Sequence, residues 1–178
     1  SREHASDPAT AKYVPRRPAV FIGREVVVPR SQMDVFIADR PAIGSWAWEA
    51  RRIAAGVPRH GMETDHRTIP HEVGWVTSAV HLNKGCYRGQ ETVARVHNLG
   101  RPPRRLVLLH LDGSADAPPV PEAPVSWNGK SVGRVTSVAQ HFELGPIALA
   151  VIKRSVPEDA GLIVELPTGV QIPASQET

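Results

Sequence analysis

From residue 106 onward the chain is a succession of short apolar runs, each ended by turn residues, and this punctuation allows few folds. Residues 106–111 read as a strand stopped by Asp112 and Gly113, and the loop that follows, 116–124, carries Pro118, Pro119, Pro121 and Pro124. Residues 125–127 and 130–135 flank Asn128-Gly129, a pair that tolerates the positive φ of a type I′ turn, so the two runs read as a hairpin. Residues 147–152 and 162–166 add two strands, the second followed by Thr168-Gly169 and a further apolar run over 170–172. Several short strands with regular turns point to a small barrel or sandwich.

The texture changes at Gly100-Arg101-Pro102-Pro103-Arg104-Arg105, which marks a boundary. Before it the pattern is mixed. Residues 1–18 are polar and Pro-containing, a peripheral lead-in. Residues 19–28 give two apolar runs around Gly23, the pattern of a buried strand or hairpin ended by Pro29. Ser31 is placed to cap a helix through Ala38 with Met33, Phe36 and Ile37 inward. A second helix is expected over 45–55, with Trp46, Ile53 and the alanines on its apolar side, stopped by Gly56 and Pro58. Residues 61–70 are polar and turn-rich, 74–82 read as a strand, 84–89 as a loop and 90–97 as a short helix.

Charge and composition exclude some functions. The net charge of +3, from 21 Lys and Arg against 18 Asp and Glu, does not demand nucleic acid, though it suits an anionic small molecule or an acidic partner. No apolar run approaches the roughly 18 residues of a membrane span, and no secretory core opens the sequence. The single Cys cannot form an internal disulfide and fits a reducing compartment, so a cytoplasmic location is expected. There is no phosphate-binding or dinucleotide fingerprint and no Gly-x-Ser-x-Gly elbow.

The stretch that could carry chemistry is Lys84-Gly85-Cys86-Tyr87-Arg88-Gly89-Gln90-Glu91. Lys84 and Cys86, two apart in a loop, can point the same way. Gly85 and Gly89 permit conformations that a Cβ blocks. Gln90 opens the next helix, whose N-terminus carries partial positive charge. A Cys between a Lys and a helix start favours thiolate; the alternative is a glycine-shaped turn with Cys86 as a small buried filler. The eight histidines do not form a zincin pair, one Cys cannot ligate a cluster through four thiolates, and no metal site is expected. They read as surface or hydrogen-bonding residues. Arg101, Arg104 and Arg105 form a basic patch on the linker, either solvated or able to hold phosphates or a folate's glutamate tail.

These residues resemble the signature of the YgfZ proteins, members of the folate-binding superfamily of the glycine-cleavage aminomethyltransferase (GcvT). The likeness extends through 49–58, Gly61 and Ile69-Pro70-His71-Glu72 before the loop. After it come Arg105-Leu106, Asp112-Gly113, 132–137 and 145–150, so the resemblance covers about 26–156. It implies an α+β chain: a lead-in over 1–18, the C-terminal part of a GcvT-like folate-binding α/β domain over 19–103, and a small antiparallel β-barrel over 104–178. It implies tetrahydrofolate or a derivative as cofactor, and a role in assembly or repair of iron–sulfur clusters in client enzymes, including tRNA-modifying ones. Lys84 and Cys86 would be the functional pair, Gln90 and Glu91 would position the loop and bond the ligand, and Arg52 would contact folate. Whether the chain catalyses a reaction is left open.

Family members carry a comparable length before this region that supplies one side of the cleft, so this chain is expected to be a fragment or to pair with a separate N-terminal half of the same protein, with self-association where that half is lost. Cys86 favours the YgfZ branch over the transferases, which have an Arg where this chain has Trp48. The alternatives are a folate-dependent aminomethyl transferase and an RNA-binding module resting on the linker arginines.

Overall fold

A computed structural model describes residues 26–82, 84–115 and 118–177. The expected lead-in over 1–18 and most of the apolar runs over 19–28 lie outside the described residues. Six strands, β1 (Arg104–Leu111), β2 (Pro124–Trp127), β3 (Lys130–His141), β4 (Gly145–Lys153), β5 (Leu162–Glu165) and β6 (Gln171–Glu177), close into a barrel in the order β1-β4-β3-β2-β5-β6. Every neighbouring pair is antiparallel. The β2–β3 hairpin turns on Asn128 and Gly129 at φ 50° and 71°, the double positive φ that a type I′ turn needs.

Alternation along the strands sends one set of side chains into the barrel. Val107, Leu109 and Leu111 of β1, Ala148, Ala150 and Ile152 of β4, and Val125, Val135, Leu162, Val164 and Ile172 fill its interior. The opposite set on β1 and β4 is also apolar: Leu108, Ile147 and Leu149 pack outward against Ile53. That is why residues 147–152 read as an unbroken apolar run, as strands buried on both faces do.

The outer layer is helical. After a 3-10 turn (Arg30–Gln32), α1 (Met33–Ile37) is followed by α2 (Ser45–Ala54), a 3-10 turn (Pro70–Val73), α3 (Val76–Ala79) and α4 (Gln90–Leu99). Helix α2 lies on β3 and β4 and buries Ala50, Arg52 and Ile53. It ends, as expected, at Gly56, whose φ of 67° suits the left-handed exit and whose N–H bonds to the Ile53 carbonyl. Among the described residues, no helix is long and apolar enough to cross a membrane.

Three local expectations are corrected. The helical turn begins at Arg30, directly after Pro29, so Ser31 lies inside it rather than capping it; Met33 and Ile37 are exposed and α1 buries nothing. Trp46 is 89% exposed despite its i, i+4, i+7 relation to Ala50 and Ile53, because its turn overhangs a groove at the barrel's end instead of lying on the sheet. The strand expected over 74–82 is the short helix α3, entered through Gly74 at φ 74°. A strand there needs a partner for its N–H and C=O groups, and the closed barrel offers no free edge.

Gly133 on β3 faces Ile152 on β4, and a Cβ at that place would lie 2.2 Å from the Val151 carbonyl oxygen and 2.7 Å from Ile152 Cα. Backbone cannot yield as a side-chain tip can. Gly133→Ala is therefore expected to cost about 3 kcal/mol, the upper end for overpacking. Urea denaturation measures it, and a variant as stable as the parent would show that the β3–β4 contact is looser than described.

Candidate functional site

The barrel holds the helical layer through a buried carboxylate. Glu63, fully inaccessible, accepts the Arg59 N–H at 2.7 Å and a long hydrogen bond from Arg52 Nη1 at 3.5 Å. From β3, Thr136 Oγ1 lies 3.1 Å from Glu63 Oε1 and from the Leu149 carbonyl oxygen, and Ser137 Oγ donates to Glu63. Consecutive strand residues ordinarily face opposite ways. Here the register shifts between Val135 and Ser137, and this bulge lets both hydroxyls reach the same carboxylate.

Arg52 completes the knot. Its five N–H groups meet Glu49 Oε2 twice (3.0 and 2.9 Å), the Val57 carbonyl (2.7 Å), Glu63 and Ser137 Oγ (2.9 Å). At 1% exposure it has no donor left for a ligand, so the folate contact expected of Arg52 is corrected to a structural role. Glu49 also pairs with Arg59, whose guanidinium sits 5.9 Å over the Trp48 ring.

A second clamp leads from the barrel towards the Lys84–Glu91 loop. Arg104, the first residue of β1, grips Glu72 through Nε (2.9 Å) and Nη2 (2.8 Å), and reaches Asp65 through Nη1 (3.2 Å). The Arg104 hydrogen bond holds the Asp65 carboxyl well below the usual carboxylate range, and the Glu72 bond raises the Arg104 guanidinium further. Arg105 donates to the Val156 carbonyl and to Gln176. The linker's basic patch is thus dispersed into internal bonds, with Arg101 exposed, and neither the phosphate nor the RNA reading keeps its contiguous charge.

Glu72 sits in the 3-10 turn on which α4 packs. There His71 is 2% exposed and neither ring nitrogen has a hydrogen-bond partner among the described residues, while the His97 ring of α4 lies 6.1 Å away. Burial, then the charge of His97, holds the His71 imidazole below its ordinary pKa. For His71 this corrects the reading of the histidines as surface or bonded groups, which His66 and His81, exposed, and His110 and His141, hydrogen-bonded, satisfy.

The loop emerges at the start of α4. Gly89 has φ 81° and directs the chain into the helix, whereas Gly85 does not adopt a positive φ. Cys86 is exposed, which removes the buried-filler reading. Lys84 is exposed with its ammonium 5.9 Å from the Tyr87 ring centroid. Gln90 is half-buried at the first position of α4, and Glu91 points outward to Arg95 at 2.8 Å. Lys84, Tyr87 and Gly89 line a cleft of about 440 Å³; Cys86, Gln90, Glu91 and Arg52 do not. The loop residues therefore cluster, and Arg52 belongs to a different layer. Among the described residues, no group of three or more His, Cys, Asp and Glu could hold a metal.

Glu63 and His71 escape a reading of the sequence, since each lies in a polar, turn-rich stretch. The adjacent hydroxyls of Val135-Thr136-Ser137-Val138 were the one visible signal, two polar residues in a row inside an apolar strand.

Comparison with known proteins agrees with this architecture. Residues 104–176 match the family described as the glycine cleavage T-protein C-terminal barrel domain. A chloroplastic protein of Arabidopsis thaliana is 37% identical over 136 residues, 70% of this chain and 30% of that protein. The tRNA-modifying protein YgfZ of Aliivibrio fischeri is 31% identical over 118 residues, 63% of this chain and 36% of its own length. An aminomethyltransferase of Streptomyces avermitilis is 33% identical over 122 residues, 65% of this chain and 32% of its own. The crystal structure of aminomethyltransferase T from Bartonella henselae superposes with a TM-score of 0.67 at 22% identity, covering 84% of this chain and 42% of that one. The chain spans about a third of the length of the curated relatives it matches.

Two predictions follow from the buried groups. Arg52→Met strands the Glu63 carboxylate and is expected to cost about 3–5 kcal/mol by denaturant unfolding, as removal of one partner of a buried pair does. Adding Glu63→Leu should recover much of it; no recovery would mean that the carboxylate's other partners dominate. For His71, the unfolded chain takes up a proton near 6.5 that the folded chain refuses. Stability is then full above that pH and falls as pH drops below it towards the lowered folded pKa. His71→Leu should flatten this decline between about pH 7 and 5; identical slopes in the two proteins would refute the assignment.

Proposed function

On the premise that this chain carries a YgfZ/GcvT-like C-terminal region, barrel and helical layer together, we propose that it serves a tetrahydrofolate-binding protein that supports assembly or repair of iron–sulfur clusters in client enzymes, tRNA-modifying ones among them. The observation that carries the reading is the Lys84–Glu91 loop. Its thiol and ammonium are both exposed, it is held by α4 on a clamped scaffold, and a relative that shares this region is named as a tRNA-modifying protein. A rigid support under an accessible thiol suits exchange with a client's surface better than packing does. Lys84 and Cys86 act at that surface; Gln90 and Glu91 hold the start of α4.

The second reading is a folate-dependent aminomethyl transferase, favoured by the likeness to the Streptomyces enzyme. The RNA module has lost its footing, since Arg104 and Arg105 are spent internally.

A partner belongs to the proposal. Val27, Val35, Ile43 and Trp46, close together in sequence, are all exposed, and exposed apolar side chains that gather in one patch mark interaction surfaces. A separate N-terminal segment of the same protein covers it and completes the folate cleft; without that segment a second copy covers the surface and leaves the cleft incomplete.

In cells lacking the protein, Cys86→Ala and Lys84→Ala are each expected to leave its level normal and to lower the activity of a [4Fe–4S] tRNA-modifying enzyme. Full rescue by both would reduce the loop to a structural turn. The 178-residue chain alone should self-associate in sedimentation and bind tetrahydrofolate weakly; a compact monomer that binds it tightly would remove the partner from the proposal.

A further inference from the structure

The cleft beside the loop has an unusual charge balance. Arg67 of the turn after Asp65, Lys84 of the loop and Arg88 just before α4 all line it, with His66 and His81 beside them, and no acidic residue is among its walls. The nearest acids in sequence are committed elsewhere, Asp65 to Arg104 and Glu91 to Arg95. Neither Arg67 nor Arg88 makes a side-chain hydrogen bond or ion pair among the described residues. Helix α4 begins at the wall, with Gly89 and Thr92 lining the cleft, so the positive end of a ten-residue helix adds to the same field. Three cations, one from the turn after Asp65 and two from the loop, repel one another in a concave site, and concavity focuses their field. An anion with several charges relieves that repulsion.

We propose that this cleft is a binding site for a small oligoanion, its oxyanion groups gripped by Arg67, Lys84 and Arg88. The guanidinium forks suit phosphate and carboxylate oxygens alike, and about 440 Å³ accommodates a molecule of metabolite size. The site stands apart from the folate reading and shares only Lys84 with it.

Isothermal titration of the chain with tripolyphosphate and, separately, with citrate tests it. At least one is expected to bind, weakening as salt rises from about 50 to about 300 mM, with Kd about tenfold higher in Arg67→Gln/Arg88→Gln. Both arginines are exposed, so the double variant should keep its circular dichroism and melting temperature. Lys130→Gln/Lys153→Gln removes the same charge from the barrel and should bind like the parent, and so should Cys86→Ala. Binding of tripolyphosphate alone assigns phosphate chemistry; binding of citrate alone assigns carboxylate chemistry. Silence with both probes, unchanged affinity in the arginine variant, or equal weakening in the lysine control would overturn the site. Loss of cellular function in Cys86→Ala with anion binding intact would separate this site from the loop's own role.

Discussion

The structure turns on the carboxylate of Glu63. A buried charge is tolerable only when nearly every lone pair is answered, and here a backbone N–H, a guanidinium and two hydroxyls converge on it. These donors belong to the turn after α2, to α2 itself and to the bulged strand β3. The desolvation penalty of one group thereby forces three segments into a single arrangement. Apolar contact between Ile53 and the barrel supplies adhesion but little direction; the directional bonds around Glu63 fix how α2 is turned on the sheet.

The Lys84–Glu91 loop depends on this indirectly. Arg104 begins the barrel and holds Glu72, Glu72 sits in the turn that supports α4, and α4 starts where the loop ends. A rigid β structure is thus connected to an exposed Cys86 through one forked ion pair and one helix. The unbonded His71 lies inside that connection, between the turn and α4. It is the place where the support is least well satisfied.

The barrel was legible because its physics is local. Asn128-Gly129 declares its turn, and apolar runs between turns declare their strands. The helix expected over 90–97 was legible too, and the structure carries it on to Leu99. Arg52 was not: an arginine that holds a ligand and one that holds a buried glutamate look alike until Glu63 is located. The linker arginines failed for a related reason, since a run of like charges in sequence says nothing about which acids fold against it. Trp46 obeyed the helical period and still ended exposed, because period gives direction and not whether the sheet extends far enough to meet the side chain. The cationic cleft escaped notice altogether, its three charges being scattered over 67–88 and assembled only by the fold.

The order of the strands also sets how the molecule comes apart. β3 and β4 are joined by a short connection, so the strand pair beneath α2 is built from near neighbours in the chain. The seam between β1 and β6 is different, joining Leu108 to Glu177 and Leu111 to Ala174 over the greatest separation in the barrel. Such long-range pairing closes late because its loop entropy must be met first. Opening at that seam would bare two strand edges and the apolar interior while α2 stayed seated on β3 and β4. A partly opened molecule could then keep its exposed thiol supported and yet offer a β edge to a neighbour, so that its first failure is aggregation rather than loss of the site.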